Sequence, residues 1–294
     1  MDSLTVVVAT LERPESVARM LPEVLAQAPA DTEVRVVDQS SAPARLAVAE
    51  ILRQLDDPRL VHDLHHPPGL PGARNAGVAR SEGRILLFLD DDVALRPGCI
   101  AAHLAAYRDP TVGGVVGRIE ERRLVPNAWR VTNRIGRSGR IVTRLDGPDA
   151  RDIETLKGAN MSLRRSAIEQ AGGFDEGFAG TSLLEDADLS TRVRELGFRL
   201  RYEPDAAVVH QHVPTGGVRH GAPDVAWWRF HNTARYVRRH HGMVAAPELL
   251  WTFGWIAVRE GLRKRDPRRP FQLLGALRRG WWATSEPTSG GDEP

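Results

Sequence analysis

The chain has 294 residues, enough to bury one large core or two smaller ones without covalent staples. Its single cysteine, Cys99, excludes a disulfide framework and a cysteine-rich metal site. The formal net charge is only +2, yet thirteen Arg/Lys against four Asp/Glu fall between Arg219 and Gly280, an asymmetry that suits anionic partners.

The chain opens with "LTVVVAT" (4–10), a β-branched run that reads as a buried parallel strand. No basic segment precedes it, and no apolar run approaches the ~18 residues of a membrane span. The expectation is a cytoplasmic protein, soluble or peripheral at the inner face of the membrane. A helix is expected over 13–27, with Pro14 in its first turn, then a strand over 32–41 and a helix over 42–55. A weaker strand follows at 59–66, and "PPGLPGARNAGVARSEG" (67–83) turns from breakers into a short helix. "RILLFLDDD" (84–92) is the clearest buried strand. The region 97–108 reads as helix and 112–121 as strand.

Strands alternating with helices over short connections indicate an α/β fold with a doubly wound, mainly parallel sheet. Ligands bind such sheets beyond the carboxyl ends of the strands, where Thr10, Asp38 and Asp90–Asp92 stand. No G-x-G-x-x-G follows the first strand, which disfavours a dinucleotide-binding dehydrogenase.

Residues 122–156 read as a long irregular loop, and 164–173 and 183–197 as helices. "FRLRYEP" and "AAVVHQH" read as two strands parted by a Pro-Asp turn. Three helical stretches (224–241, 246–264, 270–283) carry the basic excess and six of the seven Trp, and the tail 285–294 is disordered by composition.

Five constellations carry candidate chemistry. Asp90 and Asp92 alternate around Asp91, so both can present carboxylates on one face to a hard divalent ion, Mn²⁺ or Mg²⁺; a solvated turn is the other reading. His210 and His212 are two apart on a strand, and either imidazole can complete an Asp/Asp/His set. Glu185, Asp186 and Asp188 stand at a helix start, where first-turn acids are favoured anyway and where a general base is the functional alternative. Arg74 in "GARNAG" suits a phosphate or the Asp cluster. Lys157, Gly158 and Asn160 in "KGANMS" suit a substrate wall ahead of a helix.

In this order, "VVVATLERPE", "VRVVDQSS", "GLPGARNAGVARSEGRILLFLDDDV", "LKGANMSLRRSAIEQAGGFDEGF" and "LLEDADLSTRVRELGFRLRYEPDAAVVHQH" resemble the family 2 inverting glycosyltransferases, which have the GT-A fold. The resemblance covers residues 3–213. It implies a catalytic domain over 1–213, followed by a basic, Trp-rich helical extension over 214–284. It implies that Thr10, Glu12, Arg13, Asp38, Arg74, Asp90 and Asp91, with Lys157, Asn160 and Glu185, bind a nucleoside-diphosphate sugar, UDP- or dTDP-linked. Asp38 would accept from the base or ribose. Asp92 and Asp90, with His210 or His212, would hold Mn²⁺ or Mg²⁺, and Asp186 would be the catalytic base.

The implied acceptor is a carbohydrate or a lipid-linked molecule, in polysaccharide or glycolipid synthesis. Two positions depart from the family pattern: Gln39 stands where Asn is frequent, and Glu12 where Asn or Asp is. A sugar-phosphate nucleotidyltransferase would carry a Gly-rich basic loop after the first strand, which "TLERPES" is not, and a non-catalytic nucleotide-binding protein would not need the Asp90/Asp92/Asp186 set. The Trp- and Arg-bearing helices suit peripheral contact with a membrane, packing on the catalytic domain, or a homodimer interface. No nucleic-acid-binding motif is present, and no nucleic-acid partner is expected.

Overall fold

The computed structural model describes residues 3–121, 132–213, 215–217 and 224–283. The segment 122–131 of the expected loop, residues 218–223 of the extension and the tail 285–294 lie outside the described residues.

Four strands, β1 (Leu4–Thr10), β2 (Glu33–Asp38), β3 (Leu60–Leu64) and β4 (Ile85–Asp90), pair in parallel in the order β3-β2-β1-β4. Burial on both faces is why β1 and β4 read as near-continuous apolar runs, while β2 alternates at its start, where Glu33 and Arg35 are half-buried. The register sets Thr10 opposite Asp38 and Ala9 opposite Asp90, so three polar strand ends finish level with one another.

The connecting helices are α1 (Pro14–Gln27), α2 (Ala42–Leu55) and α3 (Leu70–Ala79), each with proline in its first turn. Helix α3 lies tight on the sheet because Gly77 has no side chain; a Cβ there would meet Val7 Cγ1 at 2.5 Å.

The second half supplies β5 (Val93–Leu95), α4 (Cys99–Ala106), β6 (Val112–Glu121), β7 (Thr132–Ile135), β8 (Ile141–Arg144), β9 (Arg151–Asp152), β10 (Asn160–Arg164), α5 (Arg165–Gln170), α6 (Glu185–Glu195) and β11 (Arg199–His210). Strand β10 runs antiparallel between β4 and β6, while β11 runs parallel to β6 and carries β5 and β9 along its other side.

Three expectations need correction here. Within the region expected as one long loop, β7 and β8 form a hairpin and β9 pairs with β11. "FRLRYEP" and "AAVVHQH" belong to one strand, because Pro204 and Asp205 fall in a register shift between Glu203 and Val208, not in a turn. The stretch after Lys157 does not lead straight into a helix. Residues 160–164 enter the middle of the sheet first, with Met161 and Leu163 buried.

That insertion buries a polar network. Asn160 is fully enclosed: its amide donates to the Ala206 carbonyl at 2.8 Å and its Oδ1 meets His103 Nε2 at 2.9 Å, while His103 Nδ1 meets Ser162 Oγ at 2.9 Å. Burial pulls the His103 imidazole down to about 4, against the opposing Asn160 hydrogen bond. A histidine lowered in the fold resists a proton that the unfolded chain accepts below its ordinary 6.5. His103 should therefore remove about 3 kcal/mol of stability as pH falls from 6.5 to about 4, and none above that window. Urea melts of wild type and His103→Gln across this range should converge as pH falls; parallel curves would contradict the assignment.

The chain ends in α7 (Val225–His241), α8 (Ala246–Lys264) and α9 (Arg269–Trp282). They build a second core in which Trp227, Phe230, Phe253 and Leu273 pack with Phe178, Leu184 and Ala187 of the preceding α/β body. A polar seam runs beside it. Asp175 takes both oxygens to Arg235 at 2.9 Å and one to Arg239 at 2.7 Å, Asp188 meets His240 at 2.8 Å, and Thr191 meets Tyr236 at 2.8 Å. Helix α9 crosses α7 at backbone distance: a Cβ on Gly280 would lie 1.9 Å from the His231 carbonyl oxygen.

Candidate active site

A cleft of about 900 Å³ opens at the carboxyl ends of the parallel strands. It gathers Thr10, Arg13, Arg74 and Asp90–Asp92 with Lys157, Glu185, Asp186, His210 and His212. These residues come from elements spread over two hundred positions of sequence, brought level by the sheet register.

The three aspartates divide their work. Strand β4 ends at Asp90, and the turn that follows sends Asp91 inward, where it accepts from the Thr10 hydroxyl at 2.7 Å and from Arg13 Nη1 at 2.9 Å. Burial pushes the Asp91 carboxyl up to about 6, against the pull of Arg13 and Thr10. Asp91 therefore braces the wall from behind.

Arg13 also reaches Asp92 Oδ2 at 3.3 Å and donates to the carbonyls of Val213, Thr215 and Gly216 at 3.1, 2.6 and 3.2 Å. It ties the segment after β11 over the aspartates. Asp92 Oδ1 meets His210 Nε2 at 3.1 Å; burial raises the Asp92 carboxyl, but His210 and Arg13 outweigh it and hold it below the ordinary range.

Asp90, Asp92 and His210 each offer a ligand atom, and the three atoms lie within 4.8 Å of one another. Two carboxylates and an imidazole around such a gap fit Mn²⁺ or Mg²⁺, which take oxygen ligands with an occasional nitrogen. His212 does not join this set. It sits at φ 51°, in the left-handed region, with its ring centroid 3.9 Å from that of His210.

Arg74 links this corner to α6. Its guanidinium, 3% exposed, meets Glu185 Oε1 at 2.8 Å and Asp90 Oδ1 at 3.3 Å. Gly158 makes room for it, since a Cβ there would stand 2.4 Å from Arg74 Nη2. Burial, reinforced by the neighbouring Asp186 charge, pushes Glu185 up to about 7 against the pull of Arg74. Asp186 faces the cleft, its carboxylate fixed by the backbone N–H groups of Gly158 at 3.1 Å and Ala187 at 2.8 Å. Lys157 lines the same cleft beside it.

Three residues expected in the donor site stand elsewhere. Asn160 is interior, for the reason given above. Asp38 is fully enclosed, accepting from the Ser40 N–H at 2.9 Å and meeting His62 Nε2 at 3.0 Å, and Gln39 takes the place on the cleft wall. Burial raises the Asp38 carboxyl, and His62 and Ser40 more than reverse it, so it is held below its ordinary value. Glu12 turns outward and accepts from the Ser41 N–H at the start of α2, at 2.5 Å.

The cleft also takes residues that sequence reasoning did not select. The β7–β8 hairpin contributes Ile141, Thr143 and Arg144, and α7 contributes Arg229 and Thr233. Gly139, at the hairpin tip, lies on α7, where a Cβ would meet Thr233 Cγ2 at 2.4 Å. The only sequence signal was the i, i+4 placement of Arg229 and Thr233 on one helix face.

This α/β sheet, with an Asp-rich corner and an acid-bearing helix at one cleft, defines a GT-A glycosyltransferase fold. The profile of glycosyl transferase family 2 matches residues 5–172, and the chain belongs to that family. It is 38% identical over 159 residues to the pre-mycofactocin glycosyltransferase of Mycobacterium tuberculosis, which covers 51% of this chain and 32% of that relative. The chain thus matches about a third of that relative's length.

Among solved structures, S. aureus TarS (1–349) in complex with UDP-GlcNAc aligns with a TM-score of 0.66 at 17% identity, over 93% of this chain and 79% of that one. GalNAc-T7 with UDP, GalNAc and Mn²⁺ aligns with a TM-score of 0.66 at 17% identity, over 81% and 48%. At these identities the structural likeness speaks to the fold.

Proposed function

We propose that this chain is a metal-dependent inverting glycosyltransferase that moves a sugar from a nucleoside-diphosphate donor to an acceptor hydroxyl. The observation that carries this reading is the sharing of one cleft by the Asp90/Asp92/His210 group and the backbone-fixed carboxylate of Asp186. The nucleotide-sugar and Mn²⁺ complexes of the structural neighbours support it. A Mn²⁺ or Mg²⁺ ion held by Asp90, Asp92 and His210 would offset the charge of the departing nucleoside diphosphate.

The chain's own residues do the rest. Asp186 takes the proton of the acceptor hydroxyl as that oxygen bonds to the anomeric carbon, and the bond from that carbon to the diphosphate oxygen breaks. One displacement inverts the anomeric configuration, with no sugar–enzyme bond. Lys157 and Arg74 supply positive charge near the diphosphate. The acceptor, a carbohydrate or a lipid-linked molecule, enters past β8 and α7, where Arg144, Arg229 and Thr233 line the cleft. The reaction serves polysaccharide or glycolipid synthesis in the cytoplasm, a setting in keeping with one buried thiol at Cys99.

A melting screen with UDP-, dTDP- and GDP-sugars tests donor and metal together. At a hundredfold excess over Kd, one nucleotide sugar with Mn²⁺ should raise Tm by roughly 4 °C. In Asp92→Asn the metal-dependent part of that rise should vanish. If no nucleotide raises Tm with metal present, the donor reading fails; an anomeric proton signal of retained configuration in the product would refute inversion.

A further inference from the structure

Helix α8 is apolar on two opposite faces. Leu249, Phe253, Ala257 and Gly261 are buried against the other helices. On the far side Trp251, Trp255, Val258 and Leu262 recur at helical spacing and are 84%, 65%, 43% and 74% exposed. Helix α9 repeats the arrangement, with Leu273, Ala276 and Leu277 inside and Phe271, Leu274 and Trp282 at 76%, 37% and 69% exposure. A helix with one apolar stripe is complete once packed; a second stripe carrying four large aromatic rings between the two helices calls for a second partner.

Charge identifies that partner. Residues 246–283 carry eight Arg/Lys against three Asp/Glu. Arg259, Arg265, Arg268 and Arg278 are exposed, and none forms an ion pair among the described residues. A second copy of this chain would set these cations against their own kind. An anionic bilayer would meet them with lipid phosphates while accepting tryptophan rings at headgroup depth. Among the described residues no helix is long and apolar enough to cross a membrane, so the helices would lie on the surface and not span it.

We propose that the outer face of α8 and α9 docks on an anionic phospholipid bilayer, Trp251, Trp255 and Phe271 entering the interface and Arg259, Arg265, Arg268 and Arg278 meeting phosphates. The docking is independent of the transfer reaction: none of these side chains lines the cleft.

Sedimentation of the full chain with phosphatidylcholine vesicles, with and without phosphatidylglycerol, tests it. Wild type should partition onto the anionic vesicles and be released by salt. Arg259→Gln and Arg278→Gln should each weaken partition about fivefold. Trp251→Ser/Trp255→Ser should weaken it on both vesicle types while melting like wild type, since both rings are outside the core. Asp186→Asn should bind vesicles as wild type does, which separates this proposal from the catalytic one. Absence of wild-type partition, or undiminished binding by both the arginine and the tryptophan variants, would overturn the proposal. So would light scattering that finds a dimer which Trp251→Ser/Trp255→Ser converts to monomer, since a second copy would then cover the face.

Discussion

Replacing Asp186 by Asn should lower sugar transfer by roughly 10²–10⁴-fold, the usual worth of a positioned general base, while donor binding stays near wild type. The amide keeps the size of the carboxylate but has a single acceptor oxygen, so it keeps the bond from one of the Gly158 and Ala187 N–H groups and gives up the other, a small local loss beside the loss of the base. What disappears is the carboxylate proposed to take the acceptor proton. Glu185 does not replace it, because its carboxyl is buried and held by Arg74 at 2.8 Å. The variant also removes the repulsion that helps to hold Glu185 up near 7, so the Glu185 titration should move down. Turnover at saturating donor, alongside calorimetric donor binding, checks both halves. An Asp186→Asn enzyme that transfers sugar at the wild-type rate would remove Asp186 from the base role.

The largest effect on folding is expected at a residue with no side chain at all. Gly117 on β6 faces the register shift in β11, and a Cβ there would stand 1.8 Å from the Ala206 carbonyl oxygen and 2.2 Å from the Asn160 amide nitrogen. The first is backbone, and the second is locked by its bond to that same carbonyl, so neither neighbour can swing aside. Gly117→Ala should cost about 3 kcal/mol or more, the upper end for overpacking, and lower Tm by roughly 5 °C. The bulge leads directly to His210, so whatever folds should also bind Mn²⁺ more weakly. Thermal melts with and without Mn²⁺ measure both; wild-type stability in Gly117→Ala would mean that the strand crossing is looser than described.

These two residues illustrate what the sequence could disclose. The position of Asp186 at the cleft was legible because it sits in a local pattern, E-D at a helix start, and that of the Asp90–Asp92 triplet because it closes the clearest apolar strand in the chain. The front half of the sheet was legible too, since β1 and β4 are apolar runs and β2 keeps three valines between its charges. Gly117 was not, because the constraint on it comes from β11, ninety residues later, through a bulge whose Pro204 imitates a turn. Asn160 misled for a related reason: a polar residue after Gly158 resembles a loop wall until β10 is seen inserted between β4 and β6. Asp38 sits where its family pattern sets it, but His62 on the neighbouring strand closes over it, a pairing fixed by register and not by spacing along the chain.

The seam between α6 and α7 bears on how this protein can be divided or recombined. The residues that follow β11 complete the core that Phe178, Leu184 and Ala187 begin, and they pair with two acids, Asp175 and Asp188, through Arg235, Arg239 and His240. Asp188 lies one half-turn past Asp186 on the same helix. A chain ended at residue 213 would expose that apolar surface and leave the Asp175 carboxylate without Arg235 and Arg239, and Asp188 without His240. The C-terminal helices are therefore not a module to be exchanged between relatives at will. The two parts are constrained to change together, and a transplanted α/β body would need its own counterpart of α7.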